Sequence, residues 1–558
     1  MKRAVLLPLL FLSLLGFTQE FTWVKSDGSY GDDRIMSCAV DAQGDYLFAG
    51  MFTDSIRLSQ SILLKSNGKA DFYLLKTNSL GEPIWAVCGG GGSFSSEAVG
   101  VDTDAQGNIY VAGYFTDTLK IGATEIYGYK DGKKDGFIAK LTPTGELVWL
   151  KTVVGPNDDQ FETIEVAGST IYASGRFKLS LTIDGVTFQS EDSNVGENIN
   201  PFVVSMSTDG TMNWINKVDC QSGFARAISL AANGYLYVGF ELKGTPFLRT
   251  VGTSYVQPLK QSNSSTADNY IVALNSQTGA QIWANRMSSN RSEMLYALTS
   301  DENSNVLLGG IFQSTVKLES TDGNSATATS KGNFDFYLCK YDASGKLLWS
   351  DFQGGTESDV LTSIAVGKNG YIYLTGYFSS STIQMGNVTV EAALNNINSL
   401  ILRYTPDGVP SWAKVASSIN SSFYLNAITY AGEGELILCG SYKGQGTFFE
   451  GTALLNEFTT SNVVFSRLSD KTVSVDPVNA NGLTVDVYPL PANQLLYFRT
   501  PDNVTVSRIR VFNLIGQEML SVVPQSASLS VGGLRPGIYL ASFTIGNRVI
   551  TKKIVVNR

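Results

Sequence analysis

The chain has 558 residues, 43% of them apolar and 16% charged, with 55 glycines, a formal net charge of −9 and no histidine. The apolar fraction excludes a disordered polymer, and the acidic balance excludes a surface built to neutralise nucleic-acid phosphates, so no nucleic-acid partner is expected. Without histidine there is no Ser-His-Asp or Cys-His nucleophile and no histidine-containing zinc or copper site.

Met1-Lys2-Arg3 followed by the apolar run 4–17 reads as a secretory signal, and residues 1–18 are expected to be removed on Sec export to the periplasm. The run is too short to span a bilayer and no later segment is apolar enough, so no transmembrane span is expected. Beyond it, Trp23, Trp85, Trp149, Trp214, Trp283, Trp349 and Trp412 recur at intervals of 62 to 69 residues, six of them four residues after a glycine, as in Gly81-Glu82-Pro83-Ile84-Trp85. A fixed period of this length marks one supersecondary unit copied in series. Each copy carries a turn and short apolar strand such as 107–115 or 370–378, and a further strand such as 71–76 or 335–340. Every copy reads as about four short strands separated by Gly, Asn, Asp and Ser turns. Four strands per copy predict the blade of a β-propeller.

The last copy ends at Asn462–Arg467 with no Gly-x-x-x-Trp behind it, whereas Trp23 has no blade in front of it. Letting the N-terminal strand complete the last blade removes two open sheet edges. The predicted fold is all-β: a seven-bladed β-propeller over 19–472 closed by the N-terminal strand, a linker at 473–483 and a small Ig-like β-sandwich over 484–558. Charge also separates these parts, at +5 from Thr484 onward and −14 before it.

Cys38, Cys88, Cys220, Cys339 and Cys439 show no C-x-x-C spacing. Cys339 and Cys439 lie in apolar strands as small hydrophobes, a Cys38–Cys88 bridge is left open, and the odd count leaves at least one thiol free. Asp102-Thr103-Asp104-Ala105-Gln106-Gly107-Asn108 places alternating oxygens before a glycine, as in part of a calcium loop. It lacks the distal Glu, so Asp102 and Asp104 are read as turn residues; no cofactor is predicted and calcium is the one metal considered. Gly89–Gly92 lacks the Lys-Ser/Thr of a phosphate loop. Tyr114, Phe115, Tyr377 and Phe378 are candidates for a sugar-binding surface or for packing between blades. The segments 189–200 and 244–268 are first candidates for ligand-contacting loops.

Four blocks near the C-terminus occur in order: Tyr488-Pro489-Leu490-Pro491-Ala492-Asn493, then Ile509 to Gly516, then Leu534 to Gly537 and Tyr539, then Lys552-Lys553-Ile554-Val555-Val556. Here residues 484–558 resemble the type A C-terminal sorting domain of the type IX secretion system of Bacteroidota, with Leu490 where that family usually carries Asn. The resemblance implies Sec export, folding in the periplasm, the type IX machinery as partner, and a secreted or outer-membrane-surface location, commonly with removal of the domain. Asp54-Ser55-Ile56 and Asp117-Thr118-Leu119 resemble the O-glycosylation sequon of the same phylum. Residues 273–283 are similar to the quinoprotein blade motif.

The expected function is a secreted or cell-surface, non-catalytic propeller that binds an extracellular glycan or protein as a scaffold or adhesin. The alternatives are a polysaccharide-active hydrolase or lyase with a carboxylate site in the channel, and a quinoprotein-like redox propeller.

Overall fold

The computed structural model describes residues 16–557 except 30, 92–94, 130–131, 191–197, 263–265, 393–395, 420, 444, 450–451, 455–459, 474–484, 490, 501–504, 514–517 and 546–547. Residues 1–15 of the predicted signal at 1–18, most of the segment 189–200, most of the linker at 473–483, Leu490 and Gly516 therefore lie outside the described residues. The described residues are strands and turns with no helix. They divide into two compact units, Gln19–Asp470 and one containing Lys471–Arg558.

The larger unit opens with β1 (Gly16–Asp27) and continues as antiparallel meanders. Their first strands are β2 (Arg34–Val40), β3 (Glu97–Thr103), β4 (Gln160–Ala167), β5 (Ser222–Leu230), β6 (Glu293–Ser300), β7 (Asp359–Val366) and β8 (Phe423–Gly432). In the second meander β3 pairs with Ile109–Thr116, that strand with Lys134–Leu141, and the latter with Leu147–Val153. The last meander supplies only β8, β9 (Glu435–Tyr442) and β10 (Asn462–Val473) in sequence, and β1 lies beside β10 as its fourth strand. No sheet closes on itself by hydrogen bonds among the described residues. Neighbouring first strands pack instead: β2 on β3, β3 on β4, β4 on β5, β5 on β6, β6 on β7, β7 on β8, and β8 on β2.

The second and third strands are buried along almost their whole length, as in Tyr46–Phe52 and Asp335–Tyr341. Both faces of each sheet are covered, so these strands read as unbroken apolar runs rather than alternating ones. One apolar cluster joins Ile35, Phe48 and Tyr73 of the first meander to Ile437 and Phe465 of the last.

The Gly-x-x-x-Trp motif is a contact between successive meanders. Each glycine has a positive φ, 82° at Gly345 and 73° at Gly279, a conformation that side chains disfavour. Each lies under the indole of the preceding meander, so that a Cβ at Gly345 would stand 2.8 Å from Trp283. The indole Nε1 then donates to a carbonyl of the same turn: Trp23 to Ser79, Trp85 to Pro143, Trp149 to Thr208, Trp214 to Ser276, Trp283 to Ala343 and Trp349 to Pro406, at 2.9–3.3 Å. Trp412 has no such turn ahead of it, because the chain leaves the last meander through β10. In its place Asp470 accepts from Arg403 Nη1 and Tyr373 Oη, both at 2.8 Å, and from Gln19 Nε2 at 3.3 Å.

The expectation of four strands per copy is corrected. Between the second and third strands of each meander lies a further hairpin, for example Thr118–Ile121 with Thr124–Tyr127 and Thr315–Glu319 with Ser325–Thr329. Several pair with the outermost strand of the preceding meander, through Lys120 with Gly90, Arg249 with Lys217 and Leu318 with Met287. The segment 244–268 is the fourth copy of this hairpin, Phe247–Thr250 with Val256–Pro258. These strands cover edges that would otherwise be open.

In the C-terminal unit, Asp486–Tyr488, Leu495–Arg499 and Ser528–Ser530 form one sheet, and Glu518–Val522, Arg508–Phe512, Gly537–Ile545 and Arg548–Val556 another. Leu496, Phe498, Ile509, Val511, Phe543 and Ile554, drawn from both sheets, share one core.

Trp283→Ala is expected to lower the unfolding free energy of the protein by about 3–5 kcal/mol, from the lost ring and the cavity left over Gly345. Trp283→Phe should cost less, since it keeps an aromatic over the turn and loses chiefly the bond to Ala343. Urea unfolding of the two variants beside the parent measures both.

Candidate functional site

Every first strand of the larger unit has a register shift at one equivalent place, at Met36, Val99, Glu162, Arg226, Tyr296, Thr362 and Asn426. A bulge re-aims its side chain and recurs where strands present functional groups. Asn426 Nδ2 donates to Ile35 O at 2.8 Å and Thr362 Oγ1 to Leu425 O at 2.7 Å, tying neighbouring first strands together. Three of the other bulges, Glu162, Arg226 and Tyr296, enter a polar and aromatic cluster.

Tyr114 donates to Glu97 Oε2 at 2.8 Å, and the Lys134 ammonium lies 3.7 Å over the Tyr114 ring. Gln160 Oε1 accepts from Arg176 at 3.0 Å, and Arg176 pairs with Glu162 at 3.2 Å. Phe224 lies between two guanidinium groups, with Arg176 at 4.7 Å and Arg226 at 4.0 Å from its ring. Arg226 grips Glu241 Oε2 with Nε and Nη2 at 3.1 and 2.9 Å. Tyr296, 39% exposed, follows, and Tyr377 meets Tyr424 edge-on at 5.0 Å. Six successive meanders contribute. Burial raises the Glu162 carboxyl against the opposing pull of Arg176, Arg226 and Lys134, and it pushes the Tyr377 phenol up to about 12.

Beyond the bulges a second row of polar groups links the first strands. Ser37 Oγ accepts from Val101 N at 3.3 Å, Asp102 Oδ2 from Val166 N at 2.7 Å, and the Glu165 carboxylate from Leu230 N at 2.9 and 3.0 Å. Both carboxyls keep a strip of accessible surface, yet protein surrounds them closely enough for burial to dominate. Burial raises Asp102 to about 6 and Glu165 to about 8, and the charge of Asp102 adds to the rise at Glu165. Two neighbouring first strands thus hold carboxyls whose affinities for a proton differ.

Asp102 therefore faces the next meander, whereas Asp104 serves its own turn, accepting from Gln106 N, Asn108 N, Asn108 Nδ2 and Tyr110 Oη at 2.8–3.0 Å. Among the described residues no three potential metal-ligating side chains come together. Of the aromatics flagged in the sequence, Tyr114 and Tyr377 reach the cluster, while Phe115 and Phe378 are fully buried in the core. Asp54 and Asp117 take equivalent positive-φ positions ahead of their hairpins, as do Leu179 and Ser314. Glu162, Arg176, Phe224, Arg226, Tyr296 and Tyr424 were not foreseen. Glu162, Arg226 and Tyr296 share one column of the repeat, the bulge, which holds a different residue in every copy; Phe224 and Tyr424 stand two positions before it, and Arg176 stands on a second strand in the column of Tyr114 and Tyr377.

In the C-terminal unit Ala492 is buried and bridges the last strand, donating from N to Val555 O at 2.7 Å and accepting from Asn557 N at 2.9 Å. Tyr539 Oη donates to Arg535 O at 2.8 Å. Tyr488 stacks on Tyr497 at 6.0 Å and is half exposed, and Pro489, Pro491 and Asn493 of the opening motif are exposed. Lys553 points outward from the final strand and Lys552 is half-buried; Gly537 opens the preceding strand.

Residues 486–557 belong to the family described as the secretion system C-terminal sorting domain. This type IX tail addresses the protein to the cell surface or the medium and engages the secretion machinery. Among the described residues no helix is long and apolar enough to cross a membrane. A curated relative, an uncharacterized WD repeat-containing protein of Acanthamoeba polyphaga mimivirus, is 24% identical over 457 residues, covering 68% of this chain and 32% of the relative, so the chain spans about a third of that protein's length. Among solved structures, PorZ, an essential surface component of the type IX secretion system of Porphyromonas gingivalis, is 11% identical with a TM-score of 0.24, covering 94% of this chain and 81% of that one. A protein of unknown function from Dyadobacter fermentans is 10% identical with a TM-score of 0.32, covering 67% and 94%.

The raised carboxyls set a pH dependence. Folded Asp102 and Glu165 keep protons that the unfolded chain releases at about pH 4 to 4.5, so their contribution is complete below that range and is lost as pH rises through about 6 and 8. The thermal midpoint is expected to fall between pH 5 and 8. In Glu165→Gln, where the amide oxygen still accepts from Leu230, it should fall less over the same interval.

Proposed function

We propose that the chain is an exported binding protein whose residues 19–472 form a seven-bladed β-propeller closed by the N-terminal strand, following a cleaved signal at 1–18 and preceding a linker at 473–483 and the sorting domain at 484–558. The packing of β8 on β2 and the place of β1 beside β10 support the closed ring. In this reading the first strands line the central channel and their bulges lie at one mouth.

The mouth is the binding surface for an extracellular polymer, glycan or protein, held without turnover. The observation carrying this is the convergence of Phe224, Arg176, Arg226, Tyr296, Tyr377 and Tyr424 from successive blades. Aromatic faces cover sugar or side-chain carbons, and fixed guanidinium and carboxylate groups take hydroxyls and charges. The carboxylates there, Glu97, Glu162 and Glu241, already hold Tyr114, Arg176 and Arg226.

A second reading has its own observation. Asp102 and Glu165, raised to about 6 and about 8, form the kind of unequal carboxyl pair that glycosidic cleavage uses. Release of reducing sugar, lost in Glu165→Gln, would move the protein into that class.

Screening the exported protein against extracellular glycans and proteins is expected to return a ligand whose affinity falls about tenfold or more in Phe224→Ala and in Tyr296→Ala, a change of about 1.4 kcal/mol each. Unchanged affinity in both would remove the mouth as the site. Deleting residues 486–557 should leave folded protein in the periplasm, and normal surface amounts of that variant would contradict the role given to the tail.

A further inference from the structure

Cys38 and Cys439 come from opposite ends of the larger unit, on β2 and β9, two strands that pack against each other. They sit in one apolar cluster with Ile35, Phe48, Ile437 and Phe465. Cys38 Sγ lies 3.8 Å from Ile437 O, two residues before Cys439 on the same strand, and the nearby Cys38 thiol adds to the burial that raises the Cys439 thiol. Cys88 is excluded as the partner of Cys38. It lies on Pro83–Gly90, the fourth strand of the sheet that β2 begins, and three strand spacings separate the two by about 14 Å, beyond the reach of a disulfide. Cys220 contacts Asn200, and Cys339 packs in a different cluster.

We infer that in the exported protein Cys38 and Cys439 are joined by a disulfide that fastens the first meander to the last. The predicted signal takes the chain out of the reducing cytoplasm and the sorting tail addresses it to the surface or the medium, oxidising compartments in which such bonds persist. The bond would close a loop of about four hundred residues, and long loops restrain the unfolded chain most. Cys38, half-buried, attacks the disulfide of an extracytoplasmic thiol oxidoreductase and displaces one of its sulfurs as a thiolate. The Cys439 sulfur then attacks Cys38 Sγ, releasing the second sulfur of the oxidant and passing on its own proton. Two thiols lose two protons and two electrons, and the oxidant leaves as a dithiol. Cys439 is fully enclosed once β2 has docked, so the bond forms while the last meander closes. The inference requires the docking of β2 on β9 and is independent of polymer binding.

Protein recovered from the medium or cell surface, alkylated without reductant and then digested, is expected to yield a linked peptide pair containing Cys38 and Cys439, with the remaining three of its five cysteines alkylated. Reductant should lower the thermal midpoint of the parent. Cys38→Ser should start from the lowered midpoint and not respond to reductant. Five alkylated cysteines, a link to any other cysteine, or a parent midpoint indifferent to reductant would overturn the assignment.

Discussion

The indole of one meander resting on the left-handed glycine of the next is the contact on which the rest of the larger unit depends. It needs two things at once: a residue without a Cβ, because the φ and the ring leave no room for one, and a flat donor long enough to reach the carbonyls of that turn. The two requirements fall four residues apart on the same strand entrance, so each meander both receives a ring and offers one. This reciprocal demand explains why the tryptophans keep their period while the rest of the sequence drifts.

The same contact explains how the two ends of the chain are treated. Trp23 arrives on β1 and rests on Gly81 as though it came from an ordinary fourth strand. Trp412 faces the place where β10 leaves and β1 enters, and no glycine turn exists there. A carboxylate takes over: Asp470 binds Arg403, Tyr373 and Gln19, and Arg403 in turn lies over Tyr371 and Trp412. A backbone turn has been replaced by an ion pair and its hydrogen bonds.

The parts legible in the sequence were those repeated with the same residue type. Gly-x-x-x-Trp and the buried apolar strands gave the all-β class, and the ordered blocks from Tyr488 to Val556 gave the sorting domain. The hairpins escaped because their strands are three to five residues long, as in Ser55–Arg57, where one buried Ile56 cannot make a period. The polar and aromatic cluster at the bulges escaped for the opposite reason. Its column is strictly repeated in the backbone, yet Glu162, Arg226 and Tyr296 share no chemistry, and a one-residue bulge leaves no mark on composition. The Cys38–Cys439 contact joins residues that only the packing of the last meander on the first brings together.

The place of β1 beside β10 also orders events in time. Residues 16–27 emerge first during synthesis and translocation and must wait for residues 462–473 before their sheet is complete. The sorting domain begins only after that strand, at residue 486. Any chain long enough to show its address has therefore already delivered every strand of the body it addresses. The order of elements works as a built-in check on length, since a product truncated before residue 462 lacks both its final strand and its export label.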